Sequence, residues 1–444
     1  MRIAIVIALS LGISGCATSH HVDGVQKKAI VAASHPREGL PHRVIRVVKH
    51  RPATRPAQAS TPRNPRCCGA DDAASDPIGE KNYFSREGRG GRQHGFHHHH
   101  WNYRSRLRPD NENIKALQPV YFATNRKVVD KDELKASSFT TGRSREVTYG
   151  VTVVSVPKSH VLGNVERPDF HYLGWRYDEE TDAHDFRLRS IESLTRDELV
   201  ESLQMDSNSV LLFIHGYNVP FQDAIFKAAQ IAYDANFPGS VLVFSWPSAG
   251  ALLGYDYDVG SARFSAGDLL KLLRMLTEEV GDKKIYVVAH SLGNEVLVDA
   301  LEQAALSKVR LTISELVMAA PDVDKDVFGK MADDIKAVAT NMTMYASSVD
   351  KALRASKRKA WVTRMGYIDA GGPNLIDGIE TIDVTAVGDD MIGLNHGTYA
   401  SSRAVLDDLA RIISSDKHEK PHLRTRTLKF VPDEEHVKYW VYPR

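Results

Sequence analysis

Cysteine is almost missing: the 444 residues hold three, at positions 16, 67 and 68. None falls later, so neither a disulfide framework nor a cysteine-based zinc site supports the long remainder of the chain. That remainder must be held by its own apolar core, and it is long enough to bury one. A dominant charge is missing too. Lys and Arg number 57 against 56 Asp and Glu, a formal net charge of +1, which gives no global argument for a nucleic-acid or strongly acidic partner. Long apolar runs are scarce. The one nearly unbroken stretch, Ile3 to Ile13, is too short for a membrane span, which takes about 20 residues. No internal repeat is visible. The 42% apolar and 25% charged residues are ordinary for a soluble globular chain.

What is present is unevenly distributed. Met1-Arg2 gives a short positive start, the apolar run follows, and Ile13-Ser14-Gly15-Cys16 closes it with small residues and a cysteine. Such a segment reads as a secretory signal. Its last four residues resemble the lipobox of bacterial lipoproteins. That resemblance implies a lipoprotein signal peptide over 1–16, with Cys16 as the acylated first residue of the mature chain; a plain signal peptide is the alternative. Ala17 follows instead of an acidic residue, which by the same resemblance implies a cell-envelope protein on the outer membrane, facing the periplasm. The lipid on Cys16 is then the expected membrane partner.

Residues 17–112 turn against folding. Arg, Lys, His, Pro, Gly and Ser dominate, and about 17 Lys and Arg face about 8 Asp and Glu up to Asp110. No period of 2 or 3.6 recurs, so this segment reads as a disordered basic tether that lies on anionic lipid or polysaccharide or is merely solvated. His94 and His97 to His100 lack a fixed scaffold for a metal, and no metal or other cofactor is expected.

Order begins near Gln118, and 113–415 reads as one domain. Pro119–Asn125 and the β-branched run from Val147 are strands, and a short helix spans Ser193–Leu203. Regular alternation follows. Strands start at Ser209, Ser240, Ile285, Glu315, Met342 and Thr381; helices cover Phe221–Tyr233, Ala262–Val280, Asn294–Ala305 and Tyr399–Ile413. Short apolar strands between amphipathic helices predict an α/β fold, a mostly parallel central sheet with helices on both faces. Residues 416–444 read as a polar C-terminal extension.

Chemistry concentrates at strand ends. Val287-Val288-Ala289-His290-Ser291-Leu292-Gly293-Asn294 runs a buried strand into Ser291 and a helix straight out of it. This strand–turn–helix setting gives meaning to a G-x-S-x-G pattern, whose sharp turn leaves room only for small residues two positions either side of the serine. Here they are Ala289 and Gly293. About 75 residues earlier, Phe213-Ile214-His215-Gly216-Tyr217-Asn218 ends another strand. A base should follow the serine in the chain, and His396, in Asn395-His396-Gly397, precedes the final helix; His418, His422 and His436 lie beyond it. The acid is Asp350 or Asp322, each in a loop after a strand. The carboxylate fixes the imidazole tautomer, so either loop can serve. Between Ser245 and Asp256, Trp246, Leu252, Leu253 and Tyr255 are candidates for an apolar substrate wall.

From about Pro119 to Ile413 the chain resembles the bacterial α/β-hydrolase family of unassigned function, of esterase/lipase type. Tyr121-Phe122-Ala123-Thr124-Asn125-Arg126, His215-Gly216-Tyr217-Asn218, Phe244–Ser248, Ala289–Gly293, Asp350–Leu353 and Asn395-His396-Gly397 carry the likeness. The resemblance implies a serine hydrolase with the α/β-hydrolase fold. Ser291 is the nucleophile, His396 the base, Asp350 (or Asp322) the acid, and the N–H groups of Tyr217 and Leu292 form the oxyanion hole; His215 is structural. The expected reaction is cleavage of a small-molecule or lipid-like carboxylic ester through an acyl-enzyme. An amidase, thioesterase or acyltransferase on the same machinery stays open, as does a silent envelope scaffold.

Overall fold

Val210, Leu212 and Ile214 of the strand Ser209–Ile214 enter one apolar cluster, while Leu211 and Phe213 between them enter another. A strand alternates its side chains, so a run apolar at every position must be covered on both faces. The computed structural model describes residues 107–168, 180–251, 253–387, 399–415, 417–432 and 437–443. All lie in one unit, Gln93–Arg444.

The strands are β1 (Ile114–Val128), β2 (Phe139–Pro157), β3 (Arg187–Leu194), β4 (Ser209–Ile214), β5 (Ser240–Ser245), β6 (Lys284–His290), β7 (Ile313–Ala319), β8 (Ala339–Ala346), β9 (Glu380–Asp383), β10 (Lys429–Pro432) and β11 (Val437–Val441). They form one sheet in the order β10-β11-β9-β8-β7-β6-β4-β5-β1-β2-β3. From β1 to β11 every neighbouring pair is parallel. The two margins are antiparallel: β1–β2–β3 at one side and β10–β11 at the other. The mostly parallel sheet with helices on both faces is the expected α/β-hydrolase architecture.

Helices α1 (Arg196–Asp206), α3 (Tyr255–Glu278), α4 (Gly293–Leu306) and α5 (Lys325–Val338) pack on the face of Val210 and Ile214. Helices α2 (Phe221–Asp234) and α7 (Tyr399–Ser414) cover the other. In α3 the buried Ala262, Ala266, Leu269, Leu273 and Leu276 recur every three to four residues, the spacing of a one-sided helix. Two short helices complete the set, α6 (Lys351–Ala360) and α8 (Pro421–Arg424).

The region past Ser415, expected as an extension outside the 113–415 domain, belongs to the sheet. Trp440 of β11 pairs with Ile382 of β9, and Leu428, Trp440 and Tyr442 are buried. Arg424 is 1% exposed; its Nε donates to Asp408 Oδ1 at 2.9 Å and its Nη1 to Glu380 Oε2 at 3.0 Å. The Tyr345 hydroxyl donates to the other Asp408 oxygen at 2.5 Å. The signal-peptide and lipidation expectations at 1–16, and most of the tether, lie outside the described residues.

Candidate active site

Ser291 caps β6 with φ +51°, the left-handed region that a residue with a Cβ enters only under strain. Such strain persists where the surroundings over-determine the turn. Here the Ser291 N–H donates to Ala319 O at 2.9 Å, and its carbonyl accepts from Asn294 N at 3.0 Å and Asp322 N at 3.2 Å. The buried Asn294 amide adds bonds to Ala289 O at 3.2 Å and Ser291 O at 3.1 Å. Glycine is required on both sides of the serine. A Cβ on Gly293 would stand 2.4 Å from His215 O, and one on Gly216 would stand 2.9 Å from Ser291 Cβ. Ala289 is fully buried against the same turn.

Ser291 itself is half-buried. Among the described residues its hydroxyl meets no hydrogen-bond partner, and the N–H of Leu292 meets no acceptor. An unpaired N–H beside an accessible hydroxyl, at the start of α4, is an arrangement able to receive developing negative charge.

The facing loop, His215 to Val219, is fixed at nearly every residue. His215 stacks on Trp246 with ring centres 4.9 Å apart, its Nδ1 lies 2.9 Å from Gly216 O and its Nε2 3.1 Å from Trp246 O. Burial, reinforced by the charge of Arg126, pulls its pKa down to about 3, so the ring is neutral and sealed away. Asn218, at φ +59°, gives its N–H to Asp258 Oδ2 at 3.0 Å. Val219 N donates to Ser248 Oγ at 3.0 Å, and Val219 O accepts from Arg126 Nη2 at 2.8 Å.

Arg126 is 1% exposed at the end of β1, with Nε on Ser245 Oγ at 3.0 Å and Nη1 on Ser248 O at 3.1 Å. Burial lowers its pKa to about 10, partly offset by Asp258, which leaves it charged at neutral pH. Asp258, completely buried on the first turn of α3, accepts from Ser248 Oγ at 2.6 Å and Ala249 N at 2.6 Å. Arg126 and Asp258 tie the ends of three strands, β1, β4 and β5, into one platform. Sequence reasoning gave Arg126 no role of its own, although it closes the Tyr121–Arg126 motif, and passed over Asp258.

The two acids are placed differently. Asp322, after β7, is 4% exposed, and both its oxygens are taken: Oδ1 by Ser356 Oγ at 2.6 Å and Arg364 Nε at 3.1 Å, Oδ2 by the Tyr255 hydroxyl at 3.0 Å. Burial raises its pKa against the pull of Arg364. Asp350, after β8, is half-buried and caps α6, Oδ1 accepting from Leu353 N at 2.8 Å. His396 and Leu252 lie outside the described residues, as does His436. His418 is engaged elsewhere, 3.0 Å from Glu315 Oε1, and His422 stacks on Trp440.

The expected substrate wall needs correction. Trp246 is fully buried, with Nε1 donating to His215 O at 2.8 Å, so it is core beneath the loop and has no surface for a ligand. Leu253 is 100% exposed. Tyr255 sits in the first turn of α3, seven residues before the expected helix start, with its ring edge against Tyr217. It also lines a cavity of about 550 Å³ with Arg263, Glu295, Asp299, Lys359 and Arg364; Ser291 is not among the lining residues. Burial, with Asp299 nearby, pushes the Glu295 pKa up to about 7.

Fold and strand-to-helix serine turn together define a member of the α/β-hydrolase class. A family described as "Alpha/beta hydrolase of unknown function (DUF900)" matches residues 191–415, just over half of the chain, and the chain belongs to that family. An uncharacterised protein of Nostoc, alr1448, is 23% identical over 287 residues, spanning 46% of this chain and 73% of the relative. Among solved structures, the overlap with a Trichoderma reesei cutinase bound to a phosphonate inhibitor covers 26% of this chain and about half of the cutinase (52%), at 15% identity and TM-score 0.20. An esterase B of Lactobacillus rhamnosis, inhibited by a tributyrin phosphonate, overlaps over 46% and 77% of the two chains at 14% identity and TM-score 0.26. Likenesses this distant carry no assignment of substrate.

Proposed function

We propose that the chain is a serine hydrolase that cleaves a carboxylic ester through an acyl-enzyme on Ser291. One observation carries the reading: a strained, half-buried serine at a strand-to-helix turn, packed between two glycines that admit no Cβ, beside a Leu292 N–H that meets no acceptor among the described residues. A fold has no structural need for that combination. In this reading His396 takes the hydroxyl proton, Ser291 attacks the carbonyl, and the N–H groups of Leu292 and Tyr217 hold the oxyanion; water then releases the acid. Asp350 orients His396. The full set of donors on Asp322 supports a structural task for that residue. The neutral, buried His215 supports leaving it out of the proton relay.

The substrate we propose is a small-molecule or lipid-like acyl ester, with the enzyme held in the envelope by a lipid on Cys16. That placement rests on the apolar run ending in Ser14-Gly15-Cys16. Labelling with a fluorophosphonate tests the nucleophile: the full chain should react and Ser291→Ala should not. Equal labelling of both would end the proposal. Short-chain p-nitrophenyl esters run beside amide and thioester analogues test the bond cleaved, and faster turnover of either analogue would replace the ester assignment.

A further inference from the structure

Helix α6 carries Lys351, Arg354, Lys357, Arg358 and Lys359 and no acidic residue. Leu353 and Ser356 are buried, while the two arginines, one turn apart, are exposed. Lys357 is engaged by Asp369 and the Tyr367 ring, and Lys359 by Asp256 and the Tyr255 ring. Neither Arg354 nor Arg358 meets a carboxylate among the described residues. Among the described residues the helix therefore presents an uncompensated pair of exposed guanidinium groups.

The helix then closes on Trp361, whose N–H donates to Lys357 O at 2.9 Å. Trp361 is left-handed, at φ 62° and ψ 17°, a conformation that helices ending this way usually give to glycine. It is 92% exposed, and with the fully exposed Leu253 it is one of the two most exposed large apolar residues among those described. A bulky aromatic in that conformation is strained, and packing within the fold does not compensate it. Strain of this kind points to function.

These features lie on one helix, on the residue that closes it and on the loop beside it, which together make the rim. Tyr255 hydrogen-bonds Ser356 at 2.7 Å and lies under Lys359, so the loop bearing Leu253 is joined to the end of the helix bearing Trp361. Tyr255 also packs on Tyr217, whose neighbour Gly216 touches Ser291.

We propose that this rim docks on an anionic lipid bilayer, with Arg354 and Arg358 against headgroup phosphates and Trp361 and Leu253 entering the headgroup layer. Charge selects the partner: clustered Lys and Arg are attracted to anionic leaflets, and Trp partitions to the membrane–water boundary. A soluble polyanion would use the arginines but would leave the indole in water. The role of the rim in bringing lipid acyl esters to Ser291 rests on the serine-esterase reading; membrane contact itself does not.

The full chain carrying Cys16→Ser, which removes the acylation site, is mixed with vesicles of equal parts phosphatidylcholine and phosphatidylglycerol. Affinity is read by co-sedimentation and indole depth by quenching with phosphatidylcholine brominated on its acyl chains. Arg354→Glu with Arg358→Glu should weaken binding at least about tenfold. Trp361→Gly should lose most of the quenching while holding or raising the melting temperature, because glycine relieves the strain. Leu253→Asp should lower both readouts, and soluble-ester turnover should not change in the arginine and Trp361 variants. Unchanged affinity in the double arginine variant would assign the binding to the basic N-terminal region and overturn the proposal, as would quenching that survives Trp361→Gly. Ser291→Ala should bind vesicles normally. A wild type without esterase activity that still shows these effects would sink the hydrolase reading and leave the docking surface standing.

Discussion

Gly216 and Ser291 come from the ends of two neighbouring strands and meet so closely that a Cβ on the glycine would lie 2.9 Å from the serine's own Cβ. The same added carbon would stand 3.0 Å from the carbonyl of His290. The missing side chain is thus part of how Ser291 is aimed.

Gly216→Ala should therefore cost activity far more than stability. Overpacking of this kind costs about 1–3 kcal/mol. Displacing a reacting atom by about an ångström can cost around a hundredfold in turnover. Ester turnover and thermal unfolding of the variant check both halves. A fully active Gly216→Ala would show that the loop is free to move away from Ser291.

The two acids separate in a paired substitution. Asp350→Asn should leave a folded protein whose turnover falls by several orders of magnitude; about 10⁴-fold is the scale seen in a serine protease when the orienting aspartate becomes asparagine. Asp322→Asn should act mainly on stability, because it strips the buried Arg364 of its counter-charge; breaking such a pair costs about 3–5 kcal/mol. Circular dichroism must accompany the kinetics. A folded, inactive Asp322→Asn beside a nearly normal Asp350→Asn would reverse the assignment.

Two histidines should make stability fall at alkaline pH. Burial lowers the His160 pKa, but its hydrogen bonds to Asp234 and Glu166, each 2.8 Å, override that and raise it to about 9. At His418 the bonds to Glu315 and Glu380 outweigh burial and again give about 9. Folded values above the unfolded 6.5 mean that the stabilisation is complete below about 6.5 and is lost as pH rises through about 9. Melting temperatures between pH 6 and 10 should fall in the wild type and fall less in His160→Gln and His418→Gln. A flat wild-type profile would mean the imidazolium pairs add nothing.

Removing residues 17–106 should leave both the melting temperature and soluble-ester turnover close to those of the full chain. The first strand begins only at Ile114, and the removed composition builds no core. Loss of folding on truncation would show that part of this segment packs on the domain.

How far the sequence revealed the molecule varied with how much apolar surface each element carries. Ser209–Ile214 and Ser240–Ser245 are apolar on both faces, and their observed bounds begin where the apolar runs begin. Strand β3, Arg-Leu-Arg-Ser-Ile-Glu-Ser-Leu, lies at the margin of the sheet with half-buried, charged residues, and went unrecognised. Helices α5 and α6 follow the loops read for their acids, Asp322 and Asp350, and were missed; among its described side chains α6 buries only Leu353 and Ser356. Helix α3 starts early because Asp258 looks like a loop residue until its partners Ser248 and Asn218 are seen. The serine turn was legible because steric need restricts its neighbours to small side chains. The burial of Trp246 was not, since an aromatic after a strand reads equally as wall or core.

Strand β11 has a consequence for how the protein is made. It closes against β9, and Arg424 supplies the positive charge that buried Asp408 requires, yet both arrive after Ser415, as β10 does, when strands β1 to β9 have already been synthesised. A domain generally folds as a unit, so the sheet cannot close until this last segment has emerged from the ribosome. A premature stop just after Ser415 would leave β9 with an open edge and Asp408 without its guanidinium, although Ser291 and its platform would be complete. Such an allele should yield aggregated or degraded protein, measurable as the soluble fraction on expression; a soluble, fully active truncation would disprove it. The codons of Arg424 and β11 would then be as intolerant of nonsense mutation as that of Ser291.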